Sequence, residues 1–172
     1  MNHSENATRQ SGQQPNIILM FMDDMGYGDM GAYGCQNIKT PHMDSLARDG
    51  VRFTQMYSAA AVCSPSRAAI LTGRYPMRVG IPHVLFPKDT IGLTDAESTV
   101  AECLKEAGYA TCAIGKWHVG CCPEHMPTRH GFDIGAYEEW QITIIASRAA
   151  VAQPEEAEVR AEFTYESAAI AT

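Results

Sequence analysis

Blocks of apolar and polar residues follow one another along the chain in the order strand, loop, helix, strand. After a polar leader, MNHSENATRQSGQQP, the segment Asn16–Met22 is a near-continuous apolar run. Its length and flanks predict a strand buried on both faces, as in the interior of an α/β sheet. The run stops at Asp23-Asp24, and Gly26, Gly28 and Gly31 mark a loop. Thr40-Pro41 supplies an N-cap and first-turn signal, with Met43, Leu46 and Ala47 on one helical face and Gly50 as the stop. Val51 to Tyr57 alternates among β-branched and aromatic residues and predicts a second strand.

Pro65 and Gly73 bracket a short helix over 66–72. Three prolines (Pro76, Pro82, Pro87) and scattered glycines predict a long surface loop over 76–94. Thr99 and Glu102 fit a capping box, followed by Val100, Cys103, Leu104 and Ala107 at helical spacing and Gly108 as the terminator. Tyr109–Ile114 then predicts a strand leading into Gly115-Lys116-Trp117-His118. The alternation points to the α/β class, a mixed sheet flanked by helices. From residue 134 the character changes, and 146–172 is alanine-rich, glycine-free and studded with Glu, which predicts helix. Three segments result: a polar, disordered leader (1–15), an α/β segment (16–133) and a divergent, largely helical tail (134–172).

Composition narrows the function. The 172 residues are 45% apolar, enough for a packed core. Thirteen Lys and Arg against twenty Asp and Glu leave a charge of −7, with no basic run to track phosphates, which argues against a nucleic-acid partner. No apolar stretch approaches the ~20 residues of a membrane span. The leader lacks the hydrophobic segment of a signal peptide, so the sequence alone points to the cytoplasm. Six cysteines (35, 63, 103, 112, 121, 122) are not arranged as a small disulfide scaffold, and reduced thiols are expected.

Candidate chemistry sits where strands end or helices begin. Asp23 and Asp24 follow the first strand, at the edge where open α/β sheets place ligands. Adjacent carboxylates repel, which a hard divalent cation offsets, though a plain turn also suits Asp-Asp. Cys63-Ser64-Pro65-Ser66-Arg67 puts a thiol just before a helix N-terminus, where free N–H groups favour an anion, and Arg67 adds a fixed cation. A Cys-x5-Arg phosphatase loop fails because position 69 is Ala, and a G-x4-G-K-[ST] phosphate loop at Lys116 fails because position 110 is Ala and Trp117 follows the Lys. His118, Cys121, Cys122, His125 and His130 crowd together without a paired C-x2-C knuckle, leaving a small zinc module as one reading.

Taken together, NIILMFMDDMGYGDMG (16–31), TPHMD (40–44), CSPSRAAILTGR (63–74) and GKWHVG (115–120) resemble the formylglycine-dependent sulfatases of the alkaline phosphatase superfamily, over roughly residues 15–133. The resemblance implies the N-terminal part of an alkaline phosphatase-like sulfatase fold, truncated. It implies a sulfuric ester hydrolase acting on aryl sulfates or sulfated sugars. Cys63 would be oxidised by a formylglycine-generating enzyme, and its hydrated aldehyde would supply the nucleophilic oxygen. Asp23, Asp24 and the modified Cys63 would bind calcium. Arg67 would hold the hydrate, Lys116 would contact the sulfate ester, and His118 would hydrogen-bond the hydrate.

The resemblance also implies further metal ligands and leaving-group residues that have no counterpart here. Two carboxylates and one side-chain oxygen fall short of the six to eight oxygens calcium prefers. Weak calcium binding and little turnover are therefore expected of this chain alone. The competing reading is an inactive remnant that binds an anion or a partner. A phosphatase or phosphonate hydrolase fits less well, because those place Ser or Thr where Cys63 stands.

Overall fold

The computed structural model describes residues 14–136 and 143–149. The expected disordered leader lies outside them apart from Gln14 and Pro15, and so does the tail beyond 149. Four strands, β1 (Ile17–Phe21), β2 (Tyr109–Ile114), β3 (Ile134–Ala136) and β4 (Thr143–Ala149), form one mixed sheet in the order β1-β4-β2-β3. Strand β4 runs antiparallel to both β1 and β2, while β3 is parallel to β2. Thus β1 and β2 point the same way. Phe21 pairs with Thr143 and Ile114 with Ile144, so both strands deliver their carboxyl ends to one edge of the sheet. That edge carries Asp23 and Lys116.

Four helices accompany the sheet: α1 (Pro41–Asp49), α2 (Cys63–Thr72), α3 (Pro76–Val79) and α4 (Val100–Glu106). The capping box of α4 is formed as the sequence predicts. The Glu102 N–H donates to Thr99 Oγ1 at 3.1 Å, and the Thr99 N–H donates to Glu102 Oε2 at 2.7 Å. Ala68 and Leu71 of α2, Ala101 of α4 and Ala113 of β2 meet Leu93, Trp117, Val119 and Phe132 in the core. Burying a Leu- or Phe-sized side chain there contributes about 1.5–3 kcal/mol.

Several expectations need correction. Strand β1 is not buried on both faces: Ile18 is 67% exposed, and among the described residues the strand pairs with β4 alone. No strand forms over 51–57. Its carbonyls are taken by side chains instead of a ladder, Tyr33 Oη donating to Phe53 O at 2.8 Å and Tyr27 Oη to Met56 O. Helix α2 starts at Cys63 rather than 66, because the Ser66 N–H and Oγ both bond the Val62 carbonyl and close the first turn there. Pro65 thereby occupies the third helical position, where no N–H partner is needed. The 76–94 segment is not a surface loop: it contains α3 and sends Ile81, Leu85 and Leu93 into the core. Thr40 precedes α1 but makes no cap bond; its hydroxyl turns to Asp44. The tail holds β3 and β4, so helix is wrong for 146–149.

Candidate active site

The site grows from the shared carboxyl edge of β1 and β2 and the start of α2. Cys63 is the first residue of α2, with no acidic side chain in that turn and no side chain capping it. Gly73, at φ +67°, ends the helix, its N–H donating to Ala69 O at 2.8 Å. Left-handed backbone costs an ordinary residue roughly 1 kcal/mol, so glycine suits this stop. The open N-terminus of α2 keeps a positive potential beside the thiol.

Lys116 and Asp23 meet the thiol from the sheet edge. Lys116 Nζ donates to Asp23 Oδ2 at 2.7 Å and lies 3.6 Å from Cys63 Sγ. Cys63 Sγ is 3.7 Å from Asp23 Oδ1. Arg67, one turn into α2, is 2% exposed. Its Nη1 donates to Lys116 O at 2.6 Å, its Nη2 lies 3.6 Å from Asp23 Oδ1, and its guanidinium carbon sits 5.3 Å from the Phe21 ring centroid. The i, i+4 spacing of Cys63 and Arg67 puts both on one helical face, the thiol forward and the cation behind it.

Burial alone would raise the Asp23 carboxyl, but the hydrogen bond and charge of Lys116, then the charge of Arg67, outweigh it and hold the group below its ordinary value. Burial weakens the proton affinity of Arg67, and Asp23 partly restores it. Among the described residues, the cluster brings one carboxylate and two cations to the thiol. Such a site favours an incoming anion.

Two of the expected site residues stand apart. Asp24 has φ +55° and an exposed side chain with no hydrogen bond or ion pair among the described residues. The chain turns there, and Asp24 does not join Asp23 and Cys63 in a compact donor set. His118 also has positive φ, +56°, and its Nε2 lies 2.8 Å from the Leu85 carbonyl rather than at the thiol. Its Nδ1 is buried without a partner. Leu85 in turn donates its N–H to Ser64 Oγ at 3.0 Å, so His118 reaches α2 through one intervening residue. Strained backbone of this kind clusters where a loop must present a side chain.

Two supporting features escape the sequence reading. Asp44 Oδ1 accepts from the Ala32 N–H at 2.6 Å and from Thr40 Oγ1 at 3.0 Å, while Thr40 Oγ1 also accepts from the Gly31 N–H at 2.9 Å. This clamp fixes the loop that follows Asp23-Asp24; its trace in sequence is the Thr40-to-Asp44 spacing of one helical turn. The Phe21 ring beside Arg67 has no trace beyond being apolar. All six cysteines are unpaired thiols. Among the described residues, no helix is long and apolar enough to cross a membrane.

A thiol at a helix start meets two cations and an ionised carboxylate at the carboxyl edge shared by β1 and β2. The family behind it is plain from comparison with known proteins. The sulfatase family model matches residues 15–167, and the chain belongs to that family. It is 49% identical over 131 residues to mouse (Mus musculus) steryl-sulfatase, covering 69% of this chain and 21% of that one. It is 51% identical over 121 residues to Bos taurus arylsulfatase A, covering 69% and 24%. Canis lupus familiaris N-acetylgalactosamine-6-sulfatase is 46% identical over 129 residues, covering 70% and 25%. Among solved structures, Ps i-CgsB superposes with TM-score 0.68 at 43% identity, over 72% of this chain and 28% of the other. PsFucS1 sulfatase from Pseudoalteromonas sp. gives 0.59 at 39%, over 66% and 24%. The chain thus spans about a quarter of the length of the curated relatives it matches, and its fold is the N-terminal portion of theirs.

Proposed function

We propose that this chain is the nucleophile-bearing part of a sulfuric ester hydrolase, with Cys63 as the precursor of a formylglycine nucleophile. The observation that carries this reading is the position of Cys63 Sγ, 3.6 Å from Lys116 Nζ and 3.7 Å from Asp23 Oδ1, at the uncapped start of α2. A sulfate ester is an anion, and attack on it by an oxygen nucleophile meets charge repulsion. Lys116, Arg67 and the N–H groups at the head of α2 offset that repulsion and hold developing charge. Lys116 is the residue placed to touch the ester. Arg67, behind the thiol, holds the Lys116 backbone and Asp23 in register.

The donor chemistry fits calcium in kind but not in number. Asp23 is an ionised oxygen donor next to position 63, and Asp24 is a second carboxylate one residue on. Calcium prefers six to eight oxygens, so these residues supply part of its shell. Formylglycine at position 63 would supply a hydrated aldehyde oxygen as nucleophile, and calcium held by Asp23 and Asp24 would supply positive charge beside it. His118, held at Leu85, is the nearby imidazole for proton movement once its ring turns toward the site.

Co-expression with a formylglycine-generating enzyme, followed by mass spectrometry of the peptide bearing position 63, tests the reading. Conversion of Cys63 to the aldehyde is expected, and an unmodified thiol throughout would overturn it. Turnover of an aryl sulfate such as nitrocatechol sulfate by the 172-residue chain alone is expected to stay at background. Vigorous calcium-dependent turnover would show that Asp23 and Asp24 suffice for the metal.

A further inference from the structure

The loop that carries Lys116 and His118 runs on into a second group of reactive side chains that sulfate chemistry does not use. Among the described residues, Cys122, Glu124 and His125 form a group whose ligand atoms all lie within 4.8 Å of one another. They meet because residues 123–125 form a 3-10 turn, in which the His125 N–H donates to Cys122 O at 2.9 Å. A turn of three residues brings positions 122 and 125 to the same side. The neighbouring Cys121 thiol also touches Cys122, and it donates to the carbonyls of Pro87 at 3.3 Å and Asp89 at 3.6 Å.

His125 is held the way metal-bound histidines are held. Its ring is buried, its Nδ1 lies 2.6 Å from Leu93 O, and its own carbonyl accepts from Trp117 Nε1 at 2.7 Å. It packs so closely on Gly120 and Gly92 that a Cβ at either would come within 2.6 Å of it. A carbonyl only accepts, so the short contact assigns the proton of neutral His125 to Nδ1. Fixing one ring nitrogen on a backbone carbonyl frees the other as a ligand, the usual outer contact of a metal-binding imidazole. The freed Nε2 lone pair then faces the Thr90 carbonyl at 3.3 Å, an acceptor against an acceptor. A cation bound at Nε2 removes that mismatch.

We propose that Cys122, Glu124 and His125 bind one zinc-like divalent cation, with water in the fourth position. Sulfur, nitrogen and carboxylate together select a borderline-soft ion and disfavour calcium, which takes oxygen ligands. Ligand-to-ligand edges in a tetrahedral zinc site run from about 3.3 to 3.8 Å. The three side chains must therefore draw in by roughly 1 Å, which the exposed Glu124 and half-buried Cys122 are free to do. The bound ion would clip the 122–125 turn to the 90–93 segment through His125, bracing the loop that presents Lys116. This inference does not depend on the sulfatase reading.

The test titrates the reduced 172-residue chain with zinc alone, against a chromophoric chelator, and with cobalt for its spectrum. One equivalent of zinc, a thiolate-to-cobalt charge-transfer band and a rise in Tm with zinc are expected. Cys122→Ser and Glu124→Gln, both at the surface, are each expected to weaken binding at least about tenfold. Cys103→Ser, on the exposed side of α4, is expected to leave it unchanged. Wild-type affinity no tighter than that of Cys122→Ser, or a cobalt spectrum without the thiolate band, would overturn the proposal. Loss of binding in Cys63→Ser but not in Cys122→Ser would move the ion beside Asp23 and equally overturn it.

Discussion

From Cys63 to Asp133, three helices, a strand and the loops between them share one core, and Arg67, Lys116, Thr99 and His130 are buried with it. From Gln14 to Val62, no described residue is buried; Val51 is 78% exposed and Phe53 58%. Yet both stretches have defined structure. The second stretch is held by apolar burial. The first is held by polar clamps, Asp44 on Ala32 and Thr40, and Tyr33 on Phe53, together with the pairing of β1 to β4. Cys63, the proposed nucleophile precursor, sits at the junction, where Asp23 from the first stretch meets Arg67 and Lys116 from the second. The geometry around it rests on a charged seam between a packed region and a poorly packed one.

Cutting the seam should have the largest effect. Arg67→Ala removes a buried cation, its bond to Lys116 O and its contact with Phe21, and strands Asp23 against Lys116 alone. A loss of about 3 kcal/mol in unfolding free energy is expected from urea denaturation, in the range for breaking one side of a buried pair. A loss under about 1 kcal/mol would mean the seam is not structural. Next comes a direct contrast of the two stretches. Leu93→Ala, in the core, is expected to cost about 2–5 kcal/mol. Phe53→Ala, on an exposed and unpaired segment, should stay within about 0.5 kcal/mol. Equal costs would erase the distinction.

A smaller effect is expected from the polar clamp. Asp44→Ala leaves the Ala32 N–H and Thr40 Oγ1 without their acceptor and should cost about 1–2 kcal/mol locally. Amide hydrogen exchange should speed up over 26–34 while the core segments around Leu93 and Val119 remain protected. Uniform acceleration across both stretches would show that they unfold as one unit instead.

The same contrast explains what was legible in the sequence. The capping box at Thr99 and Glu102 and the Cys63-to-Arg67 face are legible because each is a local pattern whose partners lie within a turn, and the strand Tyr109–Ile114 because its alternation matches its burial. The 51–57 segment was misread because alternation records side-chain periodicity and carries no information about a neighbouring strand; the ladder it would need is absent among the described residues, and Tyr27 and Tyr33 take its carbonyls. Pro82 and Pro87 do lie in loop, but Pro76 opens α3, and Ile81, Leu85 and Leu93 are buried by contacts distant in sequence. Asp23 was readable as a candidate; its pairing with Lys116 across 93 positions was not. Asp24 and His118 diverge from the thiol because each takes a left-handed backbone, which no periodicity reveals.

The smallest effect expected separates the two stretches by pH. His130 is fully buried and stacked on Trp117. Burial lowers its pKa from the ordinary 6.5, while Asp95 and Glu102 pull the other way without prevailing. The unfolded chain therefore binds a proton more readily than the folded one as pH falls below about 6.5. Stability is full above that value and declines as pH drops toward the folded-state pKa. Asp23 and Asp133 are both held below their ordinary 3.8, burial opposing but Lys116 and Lys105 respectively prevailing, so their contributions persist at pH 5 and are lost only below about 4. Urea midpoints followed by Trp fluorescence should fall between pH 7.5 and 5, and His130→Gln should flatten that slope while leaving the loss below pH 4 in place. A wild-type midpoint flat from 7.5 to 5 would mean that His130 is solvated in solution and that the core around Trp117 is less closed than its packing indicates.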